Sequence, residues 1–216
     1  RAGLFKPSSA DLLNNWSKLP ILTRGDLQNS WSQLHGPNLP KGHGPGRLSR
    51  SSGSTGRPVT VRRNNIDALF WQAITLREHL WHQRDVRGKL AVIRKFDHRE
   101  TAPPPAGRDM ASWGAPFMHL FDSGPSSLLD LGATPVAVQA DWLLQQQPVY
   151  LLTYPSNATA LAKHFLDNSL ELPGLRGIRT LSESLSDETR DLCGKAWQVP
   201  VKDIYSAQEV GYIALQ

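Results

Sequence analysis

Cysteine is nearly absent from this chain: Cys193 stands alone, so no disulfide can form within it. A reducing, cytoplasmic setting is expected. No His/Asn partner pattern surrounds Cys193, which reads as a packed helix residue and not as a nucleophile. No apolar run approaches the length of a membrane span, and no secretory signal opens the sequence. The sequence starts at Arg1 and not at Met, which leaves room for residues upstream. Acidic residues are missing from one long window. None lies between Asp26 and Asp67, where Lys41, Arg47, Arg50, Arg57, Arg62 and Arg63 fall together with His35 and His43. No aromatic is interleaved among the window's basic residues from Lys41 to Arg63, and the chain shows no helix-turn-helix pattern and no zinc-ligand spacing. These absences rank nucleic-acid binding below nucleotide binding. Internal repeats are absent too.

What is present describes a globular chain. It has 216 residues, 39% of them hydrophobic, with a mean hydropathy of −0.38. That is enough for one sizeable core or two small ones. The formal charge is +5. The basic window is either a solvated face or a local field that draws in an anion such as ATP.

The hydropathy pattern predicts alternating elements. Ser9 caps a first helix through Leu12, Leu13, Trp16 and Leu19, ended by Pro20. Thr23 caps a short second helix carrying Leu27, Trp31 and Leu34, and residues 36–46 are Gly/Pro-rich loop. Asn64 or Asn65 caps a long helix to about Arg84, with Ile66, Leu69, Phe70, Ala73, Ile74, Leu80 and Trp81 as its core stripe. His79 and His82 on it lack a third metal ligand and read as core or exposed histidines. Leu90–Ile93 is a buried strand, and residues 97–115 are loop. Strands at Val149–Thr153, Gly177–Leu181 and Val199–Tyr205 then alternate with helices capped by Ser156 and Ser186. That alternation predicts an α/β fold, a mainly parallel sheet flanked by helices. Ligands of such sheets bind at the carboxyl ends of the strands.

The run Ser51-Ser52-Gly53-Ser54-Thr55-Gly56-Arg57-Pro58 is the most distinctive local feature. Glycines let the backbone approach a ligand, and successive N–H groups with hydroxyls can cradle phosphate. No Gly-Lys-Ser/Thr closes it, so it is not a Walker A loop. A flexible linker has similar composition. This run, however, is short and non-repetitive, and it lies between Arg47–Arg50 and Val59–Val61, which read as two short strands. Two later polar clusters end predicted strands: Ser182-Glu183-Ser184-Leu185, and Tyr205-Ser206-Ala207-Gln208-Glu209-Val210-Gly211.

These three segments, in this order, resemble the motifs of the adenylate-forming enzymes, the acyl- and aryl-CoA synthetases and their relatives. The loop is similar to the family's Thr-Ser-Gly-Ser/Thr-Thr-Gly-x-Pro-Lys, with Ser51 at the first position and Val59 where many members carry lysine. The first cluster sits where the family has a Gly-Gly-Glu-like turn, and the second resembles Tyr-Gly-x-Thr-Glu. Within the superfamily the chain looks most like the phenylacetate-CoA ligase and capsule-biosynthesis-related branch. The resemblance implies roles. Ser51, Ser52, Gly53, Ser54, Thr55 and Gly56 would cradle the departing pyrophosphate, with Thr55 and Glu209 as catalytic residues. Glu209 would hold Mg²⁺. Tyr205 would stack on adenine, Ser182, Glu183 and Ser184 would line the adenine and ribose side, and Ser206 and Gln208 would lie beside the nucleotide. Ser206 replaces a glycine and Gln208 a threonine. Strand-end packing for Tyr205, a solvated charge for Glu209 and a helix-start carboxylate for Glu183 account for the same residues without a ligand. The aromatics Trp113, Phe117 and Phe121 would line an acyl pocket or lie in the core.

The resemblance also implies a domain plan and a reaction. Residues 1–46 would be a helical lead with a Gly/Pro loop, and 47–216 a nucleotide-binding region ending before a missing carboxyl-terminal domain that supplies a catalytic lysine. A small carboxylic acid, aryl or acyl, would be activated with ATP as an acyl-adenylate and passed to coenzyme A, with no nucleic-acid partner. The alternative is a catalytically inactive, family-derived nucleotide-binding or scaffold module.

Overall fold

The apolar run Leu90–Arg94 becomes β3, the strand around which a seven-stranded sheet is built. The computed structural model describes residues 14–18, 21–34, 39–50, 57–96, 102–114, 122–207 and 210–216. These divide into two compact units, Arg1–Phe70 and Trp71–Gln216.

In the first unit, β1 (Arg47–Arg50) pairs antiparallel with β2 (Thr60–Arg63), as the two-strand reading of this stretch expects. Residues 51–56, the hydroxyl-rich run between them in sequence, lie outside the described residues. Thr23 does cap α1 (Arg24–Asn29): it accepts from the Asp26 N–H, and Asp26 returns a bond to the Thr23 N–H, a capping box. The expected single helix breaks at Ser30, and α2 (Trp31–Leu34) follows. Asn29 and Ser30 are poor interior helix residues, since their side chains compete for the backbone. The proposed Ser9 cap lies outside the described residues.

The helix α3 (Asn65–Trp81) starts at Asn64, whose Oδ1 accepts from the Asp67 N–H at 2.9 Å. It stops short of Arg84 because Gln83 turns left-handed at φ +48° and the Arg84 N–H reaches back to the His79 carbonyl. The predicted core stripe is corrected here. Leu69, Phe70, Leu80 and Trp81 are exposed, and the buried side chains are Thr75, Glu78 and His79. Ion pairing by Glu78, and not apolar burial, sets the helix's inward face.

The sheet of the second unit runs β4-β5-β3-β6-β7-β8-β9. Its strands are β4 (Arg108–Met110), β5 (Ser126–Asp130), β6 (Tyr150–Thr153), β7 (Gly177–Leu181), β8 (Val201–Ala207) and β9 (Gly211–Leu215). The five central strands are parallel and the two edges antiparallel. The α/β fold with a mainly parallel sheet is therefore as expected. Strand β4 lies inside the stretch read as loop. It forms because Gly107 takes φ +71°, where a Cβ would strike the Leu128 carbonyl oxygen. The order 5-3-6-7-8 is doubly wound, with its switch point between β3 and β6.

Three helices seal one face: α4 (Val136–Gln146), α5 (Pro155–Asp167) and α6 (Asp187–Trp197). Ile93, Leu129, Leu151 and Ile178 meet Trp142, Leu161, Phe165 and Cys193 there. Ser186 caps α6 as expected, accepting from Thr189 N–H, with Asp187 and Glu188 in the first turn. The helix α5 departs from expectation. It begins at Pro155, suited to a first-turn position, and Ser156 sits inside it without capping it. None of the described helices is long and apolar enough to cross a membrane.

Phe165 is fully buried while the adjacent Leu166 is 40% exposed. Phe165→Ala is expected to lower unfolding free energy by about 3–5 kcal/mol, and Leu166→Ala by about 0.5 kcal/mol. Urea titration followed by circular dichroism checks both.

Candidate functional site

The other face of the sheet carries a different row. Pairing places Arg179, Leu152, Val92, Leu128 and Arg108 side by side across β7, β6, β3, β5 and β4. A cavity of about 450 Å³ lies over this row. Trp71, Thr75 and His79 of α3 face it from one side, and Met110, Ser112 and Trp113 from another. It reaches the carboxyl ends of β7 and β8 at Leu181, Ile204 and Ser206. Tyr212 of β9 closes a corner: its hydroxyl meets Thr75 Oγ1 at 2.8 Å, and its ring lies 4.6 Å from that of Trp71. Trp113 is held by the Gly88 carbonyl, which accepts from its Nε1–H at 2.9 Å, and stands edge-on to His79.

Beside the cavity is a buried charge cluster. Glu78, 1% exposed, lies between two guanidinium groups, Arg179 Nη2 at 2.7 Å and Arg84 Nη1 at 2.5 Å. Burial draws Arg84 below the ordinary guanidinium value, opposed by the charge of Glu78. Arg84 also donates to His79 Nδ1 at 3.3 Å, which fixes that nitrogen as an acceptor. Burial first, then the charges of Arg179, Arg84 and His82, pull the His79 pKa down to about 2. His79 is therefore a neutral core histidine, one of the two readings the sequence allowed. His82 Nε2 lies 2.6 Å from the Gln216 carbonyl oxygen. No group of three His, Cys, Asp or Glu among the described residues is arranged to hold a metal. Burial pushes the Cys193 thiol up to about 11, as suits a packed side chain.

Of the residues singled out in the sequence, Ser51, Ser52, Gly53, Ser54, Thr55, Gly56, Gln208, Glu209, Phe117 and Phe121 lie outside the described residues. Ser182, Glu183, Ser184, Tyr205 and Ser206 gather at two neighbouring strand ends, since Leu181 pairs with Ile204. Ser182 follows β7 in the left-handed region, φ +68°, a conformation that favours glycine. Glu183 is exposed, and its Oε2 accepts from the Ser156 N–H at 2.9 Å, supplying a first-turn partner to α5. Ser184 is exposed. Tyr205 is 61% exposed near the end of β8, and Ser206, after a β-bulge, lines the cavity. Trp113 lines the cavity too.

The sequence reading missed Glu78, Arg84, Arg108 and Arg179. One signal was available: Arg179 is a charge inside Gly-Ile-Arg-Thr-Leu, a strand otherwise suited to burial. Strand β5 and helix α4 were also missed, and both supply walls or backing to the site.

No protein-family model matches the sequence, and no curated protein matches it. Solved structures do match in fold. One is 2-hydroxyisobutyryl-CoA ligase in an open conformation, in complex with 2-HIB-AMP and CoA, at 21% identity and TM-score 0.57 over 87% of this chain. Another is the luciferase-like enzyme from the nonluminescent Zophobas morio mealworm, at 12% identity and TM-score 0.55 over 98% of this chain. A third is the anthranilate CoA ligase AuaEII in complex with anthranoyl-AMP, at 18% identity and TM-score 0.53 over 78%. The chain spans 43%, 44% and 30% of the lengths of these three proteins. What is shared is the α/β fold.

Removing Glu78 strands two buried cations. Glu78→Ala is expected to cost about 3–5 kcal/mol of stability, read as a shift in urea midpoint. The His79 pKa is about 2 in the fold against 6.5 for the free side chain, so the unfolded state takes up a proton first. This destabilisation is absent above the free value and grows as pH falls below it. The slope approaches about 1.4 kcal/mol per pH unit. His79→Gln is expected to flatten the stability–pH curve in that window.

Proposed function

We propose that this chain belongs to an AMP-forming acid ligase, and that it activates a carboxylic acid as an acyl-adenylate for transfer to coenzyme A. The observation that carries the reading is a cavity on one sheet face that reaches the carboxyl ends of β7 and β8, where the two polar clusters lie. The fold likeness to two ligases solved with 2-HIB-AMP and anthranoyl-AMP supports it. So does Ser182, which takes a glycine-type conformation where the resembled family carries glycine.

In this reading the acid lies in the cavity with its carboxylate at the strand ends. The exposed Tyr205 ring stacks on adenine, and Ser182, Glu183 and Ser184 line the ribose side. Ser206 and Gln208 lie beside the nucleotide, and Ser51–Gly56 receive the pyrophosphate. A carboxylate oxygen attacks the α-phosphorus, the bond to the bridging oxygen breaks, and pyrophosphate leaves with its electrons. A carboxylate is a weak nucleophile, so positioning and charge neutralisation supply the rate. Glu209 is the residue we assign to Mg²⁺, which when bound offsets phosphate charge. The division at residues 46/47 and the phenylacetate-CoA ligase-like branch belong to the same proposal. A second reading, a non-catalytic nucleotide-binding module, is favoured by one residue, Gln208 in place of a threonine.

Acid-dependent ATP–pyrophosphate exchange on the complete protein tests the proposal. Exchange stimulated by one class of acid is expected. ATP binding without exchange would favour the module, and neither would sink both readings. Tyr205→Ala is expected to raise the KM for ATP about 10-fold, with kcat less affected.

A further inference from the structure

Arg108 and Arg179 line the cavity, and no Asp or Glu is among its described lining residues. Arg179 is 5% exposed and shares Glu78 with Arg84, so two buried guanidinium groups face one carboxylate. His79, held neutral, adds no charge of its own. Arg179 Nε and Arg108 Nε are both buried without a hydrogen-bond partner among the described residues. A buried cation without full pairing is costly, and an anion brought in with the ligand offsets that cost. Between the two arginines the row is apolar: Leu152, Val92 and Leu128. A monocarboxylic acid with a hydrocarbon tail would match that floor and leave the buried Arg179 Nε–H without a partner.

We infer that the acid taken by this cavity carries a second anionic group, bound at Arg179, so that the substrate class is a small dicarboxylic acid. The inference rests on the acid-activation reading above. Arg179 lies two residues before Leu181, the last residue of β7, about 6–7 Å of backbone below the strand end. A guanidinium fork matches a carboxylate with two parallel hydrogen bonds, and a cavity wall of arginines without carboxylates disfavours a ligand bearing an amine at that end.

The test compares adipate with hexanoate, and terephthalate with 4-methylbenzoate, on the complete protein. Calorimetry reads binding, and ATP–pyrophosphate exchange reads kcat/KM. The expected result is a diacid preference of about 10- to 100-fold in both measurements. Arg179→Gln is expected to bring the two members of each pair to within about threefold. Arg179→Lys, which keeps the charge and loses the fork, is expected to retain part of the preference. The wild-type comparison decides the matter even where Arg179→Gln fails to fold. Equal or better use of the monoacids in exchange would overturn the diacid assignment and leave acid activation standing. Diacid-selective binding with no exchange would keep the anion site and remove the ligase reading. Neither selectivity nor exchange would overturn both.

Discussion

One buried carboxylate holds the candidate site in shape. Glu78 reaches from α3 to Arg179 in β7 and to Arg84 beyond the helix end. Two segments distant in sequence, the end of α3 and β7, are thereby joined by charge-assisted bonds between buried side chains. Such a cluster is poor as a source of net stability, because desolvation offsets most of the attraction. It is strong as a constraint, because any slip of the helix would leave a charge unpaired. The inward orientation of α3 and the place of the Arg179 guanidinium follow from it.

That constraint explains why the two sheet faces differ. On the face under α4, α5 and α6, apolar side chains interdigitate around Trp142, Leu143 and Phe165, with almost no exposed area. Packing there is dense. On the other face the core cluster is small, made of Leu90, Val92 and Tyr150 with Trp113 and Leu152 against it. The remaining space is bounded by arginines, serines and aromatics.

Chemistry then gathers where the topology sends it. Parallel strands with crossover helices bring their carboxyl ends to one edge, and Ser182–Ser184 after β7 become neighbours of Tyr205 and Ser206 near the end of β8, although a helix separates them in sequence. Glu183 illustrates how one carboxylate serves two ends: the sequence suggests a helix-start charge, and the fold gives it to the first turn of α5 through the Ser156 N–H. The left-handed Ser182 beside it marks a tight turn at the strand end, with the backbone in a conformation that costs about 1–2 kcal/mol for a residue with a Cβ.

Local signals were legible to the extent that the physics is local. Thr23, Asn64 and Ser186 announce their helices because a cap is made within four residues, and Leu90–Ile93 and Gly177–Leu181 announce strands because burial on both faces demands apolar side chains. Strand β5, with Ser126 and Ser127 buried by hydrogen bonds to Ser112, Asp109 and Gln146, is silent in sequence because its polar groups are satisfied by distant partners. The exposed Leu80 and Trp81 mislead for the converse reason: their spacing promises a core that Glu78 turns away. So the sequence by itself determined the alternation of elements, the parallel sheet and the strand ends at which polar residues collect. Only the tertiary structure decided which face opens into a cavity and which charges line it, because burial and ion pairing are properties of residues brought together from far apart in the chain.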